Sequence, residues 1–106
     1  MAWLVLFVAG ILEIVWAYSM KLSDGFTRPL TTVVTVVTMV ASFGLLALAM
    51  RTLPLGTAYT VWSGIGAVGT FVIGIVVLGE AVTLTRVLAA IMIVGGLVLM
   101  KISTTA

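Results

Sequence analysis

Apolar runs of about twenty residues follow one another along the whole chain, and they leave it little choice of architecture. A bilayer core about 30 Å thick is crossed by ~20 mostly apolar residues in a helix. The sequence offers four such segments, at about 2–21, 29–50, 57–78 and 85–102. Short polar or turn-forming stretches divide them: Lys21 to Arg28, then Arg51 with Pro54 and Gly56, then Gly79, Glu80 and Thr83. Pro29 suits the first position of a helix, where its missing N–H has no partner to lose, and Thr27 is a reasonable cap before it. The last segment is short between Arg86 and Lys101, but both side chains can snorkel and lengthen the span. Four strands cannot close a barrel, so lipid leaves only helices. The expected fold is an all-α membrane protein, one domain over 1–106, with short connections that make neighbouring helices antiparallel.

Composition agrees. Hydrophobic residues make up 63% of the chain, with only five basic and three acidic side chains, too few charges to clothe a soluble domain of this size. Three of the five basic residues sit beside apolar runs, as interfacial anchors do, and they form no nucleic-acid patch. With no Cys and no His, disulfides, thiol catalysis and the usual metal sites are excluded. No nucleophile–base pair is visible, so an enzyme is not expected, and neither is a cofactor. The N-terminus lacks the basic segment of a signal peptide, and Glu13 interrupts its apolar run.

Glu13 is the one charge in the middle of a span. Such a residue is expensive in a bilayer and marks function by default. No Lys or Arg lies at its depth, so a standing salt bridge is not expected. A carboxyl there can hold a proton or a cation, and competition between the two is the minimum machinery for proton-coupled exchange. Ala9, Gly10, Trp16 and Ala17 share its helical face. The small residues allow close approach, and the Trp16 indole can donate to the carboxylate. On the third span Tyr59, Trp62 and Gly66 recur at helical spacing, either as a packing stripe or as an aromatic wall holding a cation by cation–π attraction. Ser42 either orients the carboxylate or bonds its own backbone. Gly64 and Gly66 permit a hinge or close packing, and the hinge is favoured because alternating access needs something to bend. Gly95 and Gly96, with Ala89 and Ala90, suggest a helix–helix contact used in dimer assembly. Glu80 and Asp24 are expected to be solvated loop charges.

Orientation follows the side richer in Lys and Arg. Four spans place the amino terminus, Arg51 and Lys101 on one side and Lys21, Arg28 and Arg86 on the other, an even division. Either one residue or the insertion machinery then decides the orientation, or, as favoured here, the chain inserts both ways, so that two copies can pair head to tail about an axis in the membrane plane, the arrangement inverted repeats give to larger transporters.

These features together resemble the small multidrug resistance family over nearly the whole chain. The resemblance rests on Glu13 in the first helix, the loop Lys21-Leu22-Ser23-Asp24-Gly25-Phe26-Thr27-Arg28, and Leu53-Pro54-Leu55-Gly56-Thr57-Ala58-Tyr59 leading to Trp62-Ser63-Gly64-Ile65-Gly66. Within the family the chain is most similar to the guanidinium-exporter branch: Trp16 follows Glu13 by three where the multidrug branch has Gly, Thr57 precedes Ala58-Tyr59, and Lys101 closes the last helix. The resemblance implies a dual-topology antiparallel homodimer in the cell inner membrane that exports guanidinium and small guanidinyl cations in exchange for protons. It implies that Glu13 of both copies binds substrate and proton, with Trp16, Ser42, Tyr59 and Trp62 around it. Gly10, Thr60 and Ser63 are selectivity candidates. Thr60 stands where this branch usually has Ala and Ser63 where it often has Thr, which supports the alternative of a broader exporter of quaternary-ammonium and hydrophobic cations. A non-transporting subunit whose Glu13 only specifies helix pairing is the reading from another class. Its signature is that Glu13→Gln keeps function.

Overall fold

A computed structural model of the chain describes residues 1–103. It holds four helices in sequence: α1 (Ala2–Leu22), α2 (Pro29–Ala49), α3 (Leu55–Val76) and α4 (Leu84–Ser103). Each is long and apolar enough to cross a membrane.

The ends of the helices follow local chemistry. Pro29 opens α2, but Thr27 does not cap it: the cap position is Arg28. The Thr27 hydroxyl instead donates back into the preceding turn, to the Asp24 carbonyl at 2.8 Å. That turn is tight. Asp24, Gly25 and Phe26 all have positive φ, at 52°, 71° and 67°. Ser23, fully buried, holds it by donating to the Met20 carbonyl and accepting from the Phe26 amide. Helix α3 begins two residues before the expected Thr57, because Pro54 sits at its cap with extended backbone and Leu55 and Gly56 enter the first turn. It ends correspondingly early, at Val76.

The helices lie side by side rather than around an axis. Helix α1 packs between α2 and α3, while α4 leans mainly on α3, reaches α1 through Lys101 over the Trp3 ring, and buries no residue. The principal extents are 43 × 35 × 16 Å. Since one helix with its side chains is already about 10–12 Å across, the molecule is a slab little more than one helix thick. Its small core sits where α1, α2 and α3 meet and includes Leu6, Ala9, Leu46, Ala58, Val61 and Trp62. Most other apolar side chains are exposed, including Val36, Val40, Ile91, Met92 and Leu99. Lipid tails are as apolar as these side chains, so the bilayer, not a large core, accommodates them.

Two buried hydroxyl clusters tie the elements. Ser19 of α1 donates to the Thr31 carbonyl of α2 at 2.9 Å, and the Thr35 hydroxyl lies 2.9 Å from Ser19 Oγ. The second cluster spans three helices. Trp62 Nε1 donates to Ser42 Oγ at 3.0 Å, and Ser42 donates to the Ala9 carbonyl at 2.7 Å.

Candidate functional site

Glu13 lies eleven residues from the start of α1 and nine from its end, so helical rise places it roughly 15 Å from either one. Its side chain turns toward α3. There it meets Gly66, where a Cβ would overlap the carboxylate. Gly66 thus gives the carboxylate room that no other residue would leave. Next to it Gly69 admits Ile14, and one turn earlier Gly10 admits Ile65. Gly64 faces the other way, where a Cβ would overlap Leu97 of α4. Helix α3 runs unbroken through both Gly64 and Gly66, and in this conformation both serve close approach.

Two polar atoms at this level are buried without a hydrogen bond among the described residues: Glu13 Oε1 and Trp16 Nε1. They differ in kind, an acceptor and a donor, and they belong to side chains three residues apart on one face of α1. Buried polar groups are nearly always paired, so such a couple requires explanation. The residues around it are aromatic. Trp16 meets Phe43 of α2 edge-on at 6.2 Å between ring centroids. Phe43 lies 5.6 Å from Trp62, and Trp62 lies 5.6 Å from Tyr59. The run Trp16–Phe43–Trp62–Tyr59 is continuous across three helices. Its ring faces and edges can hold a flat cation, and its Trp and Tyr members carry donors for an anion.

The sequence puts Tyr59 and Trp62 on an aromatic wall and Trp16 beside Glu13, and the structure links all three through Phe43, which sequence reasoning missed. Phe43 is the sole aromatic residue of α2, and that rarity was the available signal. Ser42 takes neither of the two expected roles. It bonds neither Glu13 nor its own backbone, but joins Trp62 to the Ala9 carbonyl. That carbonyl is also the helical acceptor for the Glu13 amide, so Ser42 and Trp62 brace the turn that carries the carboxylate. Of the selectivity candidates, Gly10 is buried against Ile65, Ser63 is half-buried and Thr60 is exposed. Gly95 and Gly96 have open space beside them. No group of His, Cys, Asp and Glu able to hold a metal occurs among the described residues.

At one end of the bundle the loop before α4 folds back on α3. Asp24 is exposed, as expected of a loop charge. Glu80 is an exposed loop charge too, but it also rests against Gly74, its amide bonded to the Gly74 carbonyl at 2.9 Å, and pairs with Arg86 at 3.5 Å.

The comparisons extend this picture. The family model described as Small Multidrug Resistance protein matches residues 1–103. A protein of Yersinia pseudotuberculosis named guanidinium exporter is 50% identical over 104 residues, covering 98% of this chain and all of the relative. Proteins of the same name from Proteus vulgaris and Citrobacter freundii are each 49% identical over the same length, covering 98% of this chain and 100% and 99% of theirs. Four membrane-crossing helices and a match along the described length make the chain a multi-pass membrane protein. It belongs to the Small Multidrug Resistance protein family.

Proposed function

We propose that the chain exports guanidinium and small guanidinyl cations in exchange for protons, with Glu13 as the shared binding group for both. The observation that carries this reading is the unpartnered pair Glu13 Oε1 and Trp16 Nε1 beside an aromatic wall at mid-membrane. Guanidinium is planar, its N–H donors match a carboxylate, and its faces stack on aromatic rings. The Trp16 N–H can hold the carboxylate from the side, leaving its other lone pairs to the cation. The relatives' name supports the same substrate. Tyr59, Trp62 and Phe43 line the site in this reading, and Ser42 fixes its rear.

A slab 16 Å thick cannot enclose a path. The transporting unit is therefore a dimer, and the even charge division favours an antiparallel homodimer inserted both ways in the cell inner membrane. Two Glu13 carboxylates then share one cavity and titrate together. Gly64 and Gly66 are the places where α3 can bend between the two open states, and Gly95 and Gly96 on unburied α4 are where copies meet.

The deciding experiment uses the protein in sealed vesicles with a pH-sensitive dye. A guanidinium gradient should drive proton movement, and Glu13→Gln should abolish it. No proton movement above that of protein-free vesicles would sink the proposal. Thr60 and Ser63 favour one alternative, a broader exporter. Equal movement with large aromatic cations would select it.

A further inference from the structure

One guanidinium group is held in place in this structure, and it belongs to the chain itself. The Arg86 side chain lies where α4 begins. Its Nη2 donates to Glu80 Oε1 at 3.5 Å, its Nη1 donates to the Ala81 carbonyl at 3.1 Å, and its Cζ stands 5.4 Å from the centroid of the Phe71 ring. A carboxylate, a carbonyl and an aromatic face thus surround one planar cation. These are the same three kinds of partner that would suit a free guanidinium ion.

The cage opens onto a cavity of about 330 Å³ between α1, α3 and the start of α4. Glu80, Arg86 and Lys21 stand at its rim, and Ala17 and Thr70 line it deeper. Ala17 is one helical turn from Glu13, and Thr70 is one turn from Gly66, which touches the Glu13 carboxylate. The cavity therefore runs from the charged end of the bundle to within a turn of the central site.

We propose that Glu80, Phe71 and the Ala81 carbonyl form an outer guanidinium site, which Arg86 fills as a tethered stand-in until an arriving guanidinium ion displaces it. The identity of the ion rests on the reading of the chain as a guanidinium exporter. The site itself does not depend on exchange at Glu13. Three features suit it to passing a cation on rather than keeping it. The Arg86–Glu80 pair is nearly half exposed on both sides, and exposed pairs are weak enough to trade partners. Lys21 on the same rim prevents a lasting excess of negative charge. Arg86 is tied six residues from Glu80, so it competes at the millimolar effective concentration of a short tether and returns when the ion moves on. A site that hands an ion onward must be favourable enough to enter and weak enough to leave.

The test is binding, read separately from transport. Full-length Glu13→Gln protein, with its central site disabled, is placed in lipid nanodiscs. Guanidinium chloride is titrated against sodium chloride at equal ionic strength, while the backbone amides of Gly74 and Ala81 are followed by NMR. Adding Arg86→Ala should produce saturable shifts at low millimolar guanidinium. With Arg86 retained, the same shifts should need at least about twofold more ion, the factor by which a millimolar tethered competitor raises a low-millimolar midpoint. Adding Glu80→Gln to the Arg86→Ala protein should remove them. Arg86→Lys keeps a cation on the rim but lacks the fork, so it should give an intermediate midpoint and controls for any loss of fold in the alanine variant. Absence of saturable shifts in both Arg86 variants, or shifts that survive Glu80→Gln, would overturn the outer site. Vesicle exchange that fails while these shifts remain would count against Glu13 as exchanger and leave the outer site standing.

Discussion

Gly66 shows how much rests on a single hydrogen atom. A Cβ at this position overlaps the Glu13 carboxylate, so Gly66→Ala must push either the side chain or the helix aside. Overpacking of this kind costs about 1–3 kcal/mol. The expected outcome is a protein that still folds in detergent, with guanidinium-driven proton movement reduced at least about tenfold. Such loss follows because an ångström of misplacement is enough to spoil a bound geometry. Ser42→Ala acts on the same group from behind. It strips the Trp62 indole of its acceptor, and interhelical hydrogen bonds in membranes contribute about 0.6–2 kcal/mol. A lower thermal midpoint and a raised KM for guanidinium, with kcat less affected, should appear together in stability and vesicle assays. Glu13 was legible in the sequence because charge is rare inside a span. Ser42's partner was not, because it depends on how two helices are rotated against each other, and hydropathy carries no phase between helices.

Among the elements, α2 is fastened to α1 by buried hydroxyls, and α4 is fastened to little. Thr35→Val keeps the shape at the α1–α2 contact and removes the bond to Ser19. It should lower the thermal midpoint by an amount equivalent to about 1 kcal/mol, without changing ion preference. A lone Ser on α1 facing the row Thr31, Thr35 and Thr38 on α2 was the available sequence signal for this clasp. It passed unread because each hydroxyl, taken singly, can bond its own helix. The existence of all four helices was plain from apolar length. The start of α3 was less so, since Gly56 suggests a turn while the geometry at Pro54 already admits the next residue to the helix. On α4, the space beside Gly96 is open. Gly96→Leu should therefore leave the fold of one chain intact while preventing cross-linking between copies, and exchange should disappear with the dimer.

For the whole molecule, thickness and charge division decide what can be built. Single introduced Cys residues in the 23–28 turn and in the 50–54 turn should each be labelled from both membrane faces. Labelling from one face only would remove the dual insertion. Because the positive groups, the amino terminus included, are evenly divided, a change of one charge should tip the distribution. Arg51→Gln is expected to bias labelling strongly toward one orientation and to lower exchange when expressed alone. Co-expression with an oppositely biased copy should restore it. Legibility was uneven at this scale too. The charge division could be read directly from the loops. The slab could not, because it follows from which helix faces pair.

The seams between helices differ in texture. Directional bonds cross from α1 to α2 and from α2 to α3. Among the described residues, no side-chain hydrogen bond joins α1 directly to α3; that surface is made of Gly10, Gly66 and Gly69 against aliphatic side chains and Glu13. Mechanically, two joints are riveted and the third is polished. A plate of α1 and α2 can slide along α3 only when the Trp62–Ser42 bond between α2 and α3 breaks, and the sliding surface runs through the carboxylate. Friction along that surface, more than affinity at any point on it, would then govern turnover.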